Sequence, residues 1–161
     1  GVQQHVERLA GVSLRAQGIV FDRLLVTPTA FNTVLWRVVA MSPRGYHEGY
    51  HSLFDADERI TFAQRDRGAA LQPALAGNWA AERMAWFSHG FYVLDERDGR
   101  LAITDLRMGQ WPYYMFRFVV AERGSGWHEI RPYAEGAQIP VEAGLRWLRQ
   151  RITGDPVAPP R

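Results

Sequence analysis

Hydrophobic and polar positions along this chain follow two periods, and the change from one to the other marks out the elements. Over residues 2–17, Val2, Val6 and Leu9 recur at helical spacing while Glu7, Arg8 and Arg15 turn away, which predicts an amphipathic helix stopped at Gly18. Runs rich in β-branched and aromatic residues at 23–27, 31–41 and 46–54 predict strands. Ser42-Pro43-Arg44-Gly45 suits a hairpin between the last two, and Thr27-Pro28-Thr29 breaks the first from the second, so an antiparallel meander is expected. Residues 55–68 are too charged to show a period and read as a mobile connection. Residues 69–87 read as helical, interrupted near Gly77, with Asn78 as the N-cap of the second half. There Trp79, Arg83 and Trp86 share one face and Ala80, Met84 and Phe87 another, which predicts a helix buried around most of its circumference.

The strand period returns at 91–96, 100–106 and 113–122, with Asp98-Gly99 a strong hairpin signal between the first pair, and a shorter strand is expected at 127–131. Pro140 opens a last helix whose stripe is Val141, Leu145, Leu148 and Ile152, opposite Arg146, Arg149 and Gln150. From Gly154 onward, three prolines in eight residues predict a disordered tail over 154–161. Two runs of strands separated by a helix argue for the α+β class and against a parallel sheet. The expected architecture is a curved, mostly antiparallel sheet of about six to seven strands packed with a central helix and N- and C-terminal helices, in a single domain over 1–153.

Composition narrows this picture. A chain of 161 residues, 47% hydrophobic and 12% aromatic, can bury one sizeable core without disulfides. Cysteine is absent, which excludes disulfide staples and thiolate zinc sites and leaves the compartment open. All 19 basic residues are arginine, interspersed with acids to a formal charge of +2, so no nucleic-acid surface is indicated. No apolar run approaches the roughly 18 residues of a membrane span, and the chain as given is expected to be soluble.

Strand alternation puts Leu101, Ile103, Asp105 and Arg107 on one face, so the two charges continue an apolar row. They read either as a structural ion pair or as an anion-binding arginine oriented by its aspartate, with Arg37 and Arg117 able to join if they converge. His47 and His51 lie roughly 13 Å apart in an extended strand, too far to share one ion. His89, directly after the central helix, is expected to bond a backbone group at the helix end, or to act as an acid or base. Trp36, Tyr46, Tyr50, Trp86, Tyr92, Trp111, Tyr113 and Tyr114 are either core or the lining of a pocket, with Tyr113-Tyr114 after Pro112 the candidate rim. The candidate ligand-binding residues are therefore Arg37, Tyr50, His89, Asp105, Arg107 and Tyr113. No residue is assigned to catalysis or to a metal, and the familiar zinc-protease, nucleophile-elbow and Walker patterns do not occur.

Four ordered blocks carry a resemblance: residues 27–39, residues 46–53, Trp86-Phe87-Ser88-His89-Gly90-Phe91-Tyr92, and Thr104-Asp105-Leu106-Arg107-Met108-Gly109. Together, over roughly residues 5 to 133, they resemble the C-terminal part of the YdjM-like family of bacterial inner-membrane-bound, metal-dependent hydrolases. The resemblance implies a longer protein whose N-terminal membrane helices carry a His-Arg-x-x-x-His-Ser-type motif and bind a divalent metal. That motif does not occur here, so no catalytic residue carries over. The implied role is a soluble accessory domain that positions substrate or mediates interaction, partnered by its own membrane region and by further copies in a homo-oligomer. The alternative is a self-contained small-molecule-binding or hydrolytic domain with an aromatic pocket around His89, Asp105 and Arg107. A ligand-binding or oligomerisation module without catalytic groups is the third. If the first helix directly follows the membrane span that the resemblance implies, Arg8 and Arg15 favour the cytoplasmic side.

Overall fold

The computed structural model describes residues 1–29, 32–108, 116–135 and 141–159. The chain divides into two compact units, one of residues 1–42, 46–65 and 140–161, the other of residues 43–45 and 66–139. The class is α+β and the strand pairings in both sheets are antiparallel, as expected, but among the described residues eight strands form two sheets of four where one sheet of six or seven was expected.

In the first unit the sheet runs β1 (Arg23–Pro28), β2 (Leu35–Met41), β3 (Gly45–Ser52), β4 (Phe62–Asp66). β2 is buried along its whole length, which explains a sequence that is nearly all apolar instead of alternating. Helix α1 (Val2–Ala16) covers one face with Val6, Leu9 and Ala10 against Val26, Trp36, Val38 and Ile60, while Val2, expected in the stripe, is exposed. Each buried Val, Leu or Ile side chain among them stabilises the unit by about 1.5–3 kcal/mol. Gly49, opposite Val38 in register, is required by packing: a Cβ there would stand 2.8 Å from both Ile60 Cγ2 and Thr61 O. The Ile60 N–H donates to Ser13 Oγ at 2.9 Å, and Gln17 Nε2 donates to Ile60 O at 2.8 Å, so α1 also fixes the segment leading into β4.

Helix α3 (Val141–Ile152) departs from its expected stripe. Leu145 is exposed, while Trp147 and Arg151 are buried. Trp147 packs edge-on against Tyr50, with ring centroids 5.0 Å apart. Arg151 donates to both carboxylate oxygens of Asp55, at 2.6 and 2.8 Å, and to Tyr50 O at 2.9 Å. Asp55 in turn accepts the Ser52 N–H, and Ser52 Oγ donates to Ile152 O at 2.7 Å. Beyond the helix, the Trp147 indole N–H donates to Val157 O at 3.0 Å, within the segment expected as a disordered tail.

In the second unit the sheet runs β5 (Tyr92–Arg97), β6 (Arg100–Asp105), β7 (Arg117–Arg123), β8 (Trp127–Glu135). Asp98 and Gly99 both take positive φ, 52° and 73°, the backbone that the expected Asp-Gly hairpin needs. A 3-10 segment, Ala69–Leu75, leads into helix α2 (Trp79–Phe87). Asn78 is the N-cap: its Oδ1 accepts the Ala81 N–H, while its Nδ2 donates to Val120 O at 3.0 Å and ties the helix start to the sheet. Leu75, Ala81, Leu94, Leu101, Ile103 and Val120 form the core, with Ala80, Met84 and Ala85 packed on it. The helix is not buried all round. Trp79, Trp86 and Phe87 are 69, 73 and 59% exposed, because only the alanine and Met84 side of this nine-residue helix meets the sheet.

His51 is buried in the first unit, its Nδ1 3.5 Å from Asp55 Oδ2. Burial lowers its pKa, Arg151 adds to this, and Asp55 opposes. Burial alone would raise the Asp55 pKa, but the hydrogen bonds from Arg151 and the Ser52 N–H outweigh it and the net shift is downward. Both folded-state values lie below the unfolded ones. Their stabilisation is therefore full above 6.5 for His51 and above 3.8 for Asp55, and is lost as pH falls through each folded value. His47, lowered by burial, acts in the same direction as His51. Urea unfolding is expected to show stability falling between about pH 7 and 5, with His51→Gln flattening that slope. An unchanged slope in the variant would show that His51 does not carry it.

Candidate functional site

Strand β6 ends at Asp105, and the chain turns at once. Asp105 Oδ1 accepts the Arg107 N–H at 2.9 Å, an Asx turn that folds Arg107 back over its own aspartate. Arg107 Nε then lies 3.1 and 3.2 Å from the two carboxylate oxygens and its Nη2 2.8 Å from Oδ2. The predicted proximity is correct, but a turn achieves it where strand alternation was expected to. The Asp105 hydrogen bonds raise the Arg107 pKa, with burial working against them. The guanidinium carbon stands 5.0 Å from the centre of the Phe87 ring.

Asp105 of this pair borders a pocket of about 400 Å³, lined also by Met84, Phe87, Met108, Phe116 and Phe118 and by Arg83 and Trp86. Helix α2 supplies one wall through Arg83, Met84, Trp86 and Phe87, and Asn78 ties the start of that helix to β7. No family model, curated protein or solved structure matches this chain. The resemblance of the four blocks thus rests on their residues, and the pocket has to be read from its own geometry.

The remaining predicted residues fall elsewhere. Arg37 and Tyr50 are cross-strand partners in the sheet of the first unit, so their side chains share a face. Arg37 donates to Glu48 Oε2 from Nε at 2.9 Å and from Nη2 at 2.7 Å, a buried pair that sequence reading missed. Burial works against the Arg37 charge, and Glu48 more than offsets it. The buried Tyr50 hydroxyl has its pKa pushed up by burial and then by the Glu48 carboxylate. Arg117, in the second unit, is held by Asp95 at 3.0 Å and by Glu135. Arg37 and Arg117 therefore each answer to their own acids and neither joins Asp105. Tyr113, with Trp111 and Tyr114, lies outside the described residues.

His89 is exposed and does not line the pocket. Its main-chain N–H, and not its ring as expected, makes the hydrogen bond at the helix end, to Trp86 O at 3.1 Å, while the Gly90 N–H reaches Ala85 O at 3.4 Å. This is a Schellman ending with His89 in the left-handed position, φ 54°. Among the described residues no three His, Asp or Glu side chains converge, so none is assigned to the metal that the resemblance implies. Among the same residues no helix is long and apolar enough to cross a membrane. The lining residues that sequence reading missed are Arg83, Met84, Phe87, Met108, Phe116 and Phe118. For Met84 and Phe87 the signal was their shared helix face, read as core.

A left-handed conformation costs a residue other than glycine about 1–2 kcal/mol. His89→Gly is therefore expected to stabilise the protein by about 1 kcal/mol, read as a higher denaturant midpoint at unchanged slope. A lower midpoint would mean that the His89 ring carries a stabilising contact.

Proposed function

We propose that this chain is an accessory domain that positions an apolar ligand for a larger membrane-bound, metal-dependent hydrolase, and that it does so at the pocket of the second unit. The observation that carries this reading is the combination of an aromatic and methionine wall with a carboxylate whose two oxygens already accept from Arg107. A carboxylate held in this way keeps its position, which suits a binding wall; a general base needs a free oxygen facing the proton it takes. Methionine and phenylalanine together make an adaptable apolar surface, and the volume falls in the range of roughly 300–1,000 Å³ typical of ligand sites.

The wider setting comes from the four-block resemblance. In it the divalent metal and the catalytic motif belong to the N-terminal membrane region, which is also the domain's main partner, and the whole protein resides in the inner membrane with this domain on the cytoplasmic side. A homo-oligomer would bring several such pockets to one assembly. A self-contained hydrolytic domain is the second reading, favoured by Asp105 standing in the pocket wall.

Hydrolysis of phosphoester, acyl-ester and amide substrates with added divalent metals separates the two. Turnover is expected with the longer membrane protein in detergent and not with the 161-residue chain. Turnover by the chain itself, lost on Asp105→Ala, would contradict the accessory reading.

A further inference from the structure

We infer that the pocket of the second unit takes an amphiphilic anion, one molecule at a time, with its apolar part among Met84, Phe87, Met108, Phe116 and Phe118 and its anionic head on Arg83. The inference rests on the pocket reading above and names the ligand class. Its basis is the charge left over once the pairs are counted. Asp105 is cancelled by Arg107. Arg83 also lines the pocket, and among the described residues it makes no ion pair; its guanidinium lies 5.3 Å from the centre of the Trp79 ring. One positive charge therefore remains at the edge of an apolar cavity.

Arg83 also borders a shallower hollow of about 240 Å³, with Trp79, Glu82 and Trp86, so it stands where the apolar cavity meets an open, aromatic surface. The Glu82 carboxylate accepts the Gly77 N–H at 3.2 Å, which directs it toward the helix start. A cationic ligand would meet an uncompensated guanidinium at the edge. A neutral apolar ligand would leave that guanidinium without a partner. A carboxylate or phosphate matches the planar donor fork, and neighbouring tryptophan surface weakens the solvent screening of that contact.

The test uses the whole chain and a neutral fluorescent probe, N-phenylnaphthylamine, displaced by octanoate, octanol or octyltrimethylammonium below their micelle concentrations. Octanoate is expected to bind about three- to tenfold more tightly than octanol, and the cation more weakly than either. Arg83→Gln should remove the octanoate preference and leave octanol unchanged, while Arg83→Lys keeps part of it; Arg83 is exposed, so both variants should fold. Equal affinities for octanoate and octanol would overturn the anion assignment and leave the pocket reading standing. Failure of the probe itself to bind would overturn both. Binding to phosphatidylglycerol vesicles without displacement by octanoate would overturn the single-molecule ligand in favour of a bilayer surface.

Discussion

Asp105 closes a strand whose neighbouring side chains are buried, and it is itself 3% exposed. A carboxylate in that position, without a partner, would cost the fold about 3–5 kcal/mol. Arg107 supplies the partner from two residues away, through a turn that the same aspartate nucleates. Much of the second unit's character follows from this pair. It lets β6 carry an acid to the edge of the core and places a guanidinium against Phe87. It also gives the carboxylate in the wall of the adjoining pocket a partner of its own.

The same solution recurs within each unit. Arg37 with Glu48, Arg117 with Asp95 and Glu135, and Arg151 with Asp55 each place a buried guanidinium against carboxylates. A chain with no lysine is suited to this, because the guanidinium keeps its charge when buried and its fixed fork can satisfy two oxygens at once. Arg151 extends the device to the main chain, holding Tyr50 O as well as Asp55 and so joining α3 to the end of β3. Such pairs add little net stability over apolar replacements, but losing one member is costly, which fixes how elements meet.

Elements set by local signals were legible in the sequence. The Asn78 cap, the Asp98-Gly99 hairpin and the Gly18 stop each follow from one residue's own chemistry, and each appears where it was read. Elements decided by partners distant in sequence were not. β4 lies in the charged stretch 55–68, where Arg65 and Asp66 mask any apolar alternation, and it adds a fourth strand to the sheet of the first unit by pairing with β3. The outward turn of Trp79 and Trp86 depends on which side of α2 meets the sheet, and an apolar composition gives no hint of that. At the site, the Asp105 and Arg107 pairing was legible from their spacing. The pocket beside them was not, since Met84, Phe87 and Phe118 carry the same hydrophobic signature as core.

The unit's function, in this account, depends on the ion pair being a structural lock that prepares an apolar binding wall. The most direct test is a double-mutant cycle of Asp105→Asn and Arg107→Met, followed by denaturant unfolding and by binding of a neutral apolar probe. The account predicts that Arg107→Met costs about 2–3 kcal/mol, that adding Asp105→Asn recovers at least half of it, and that the double variant still binds the probe. A neutral Arg107→Met, or a stably folded double variant that has lost the probe, would contradict it.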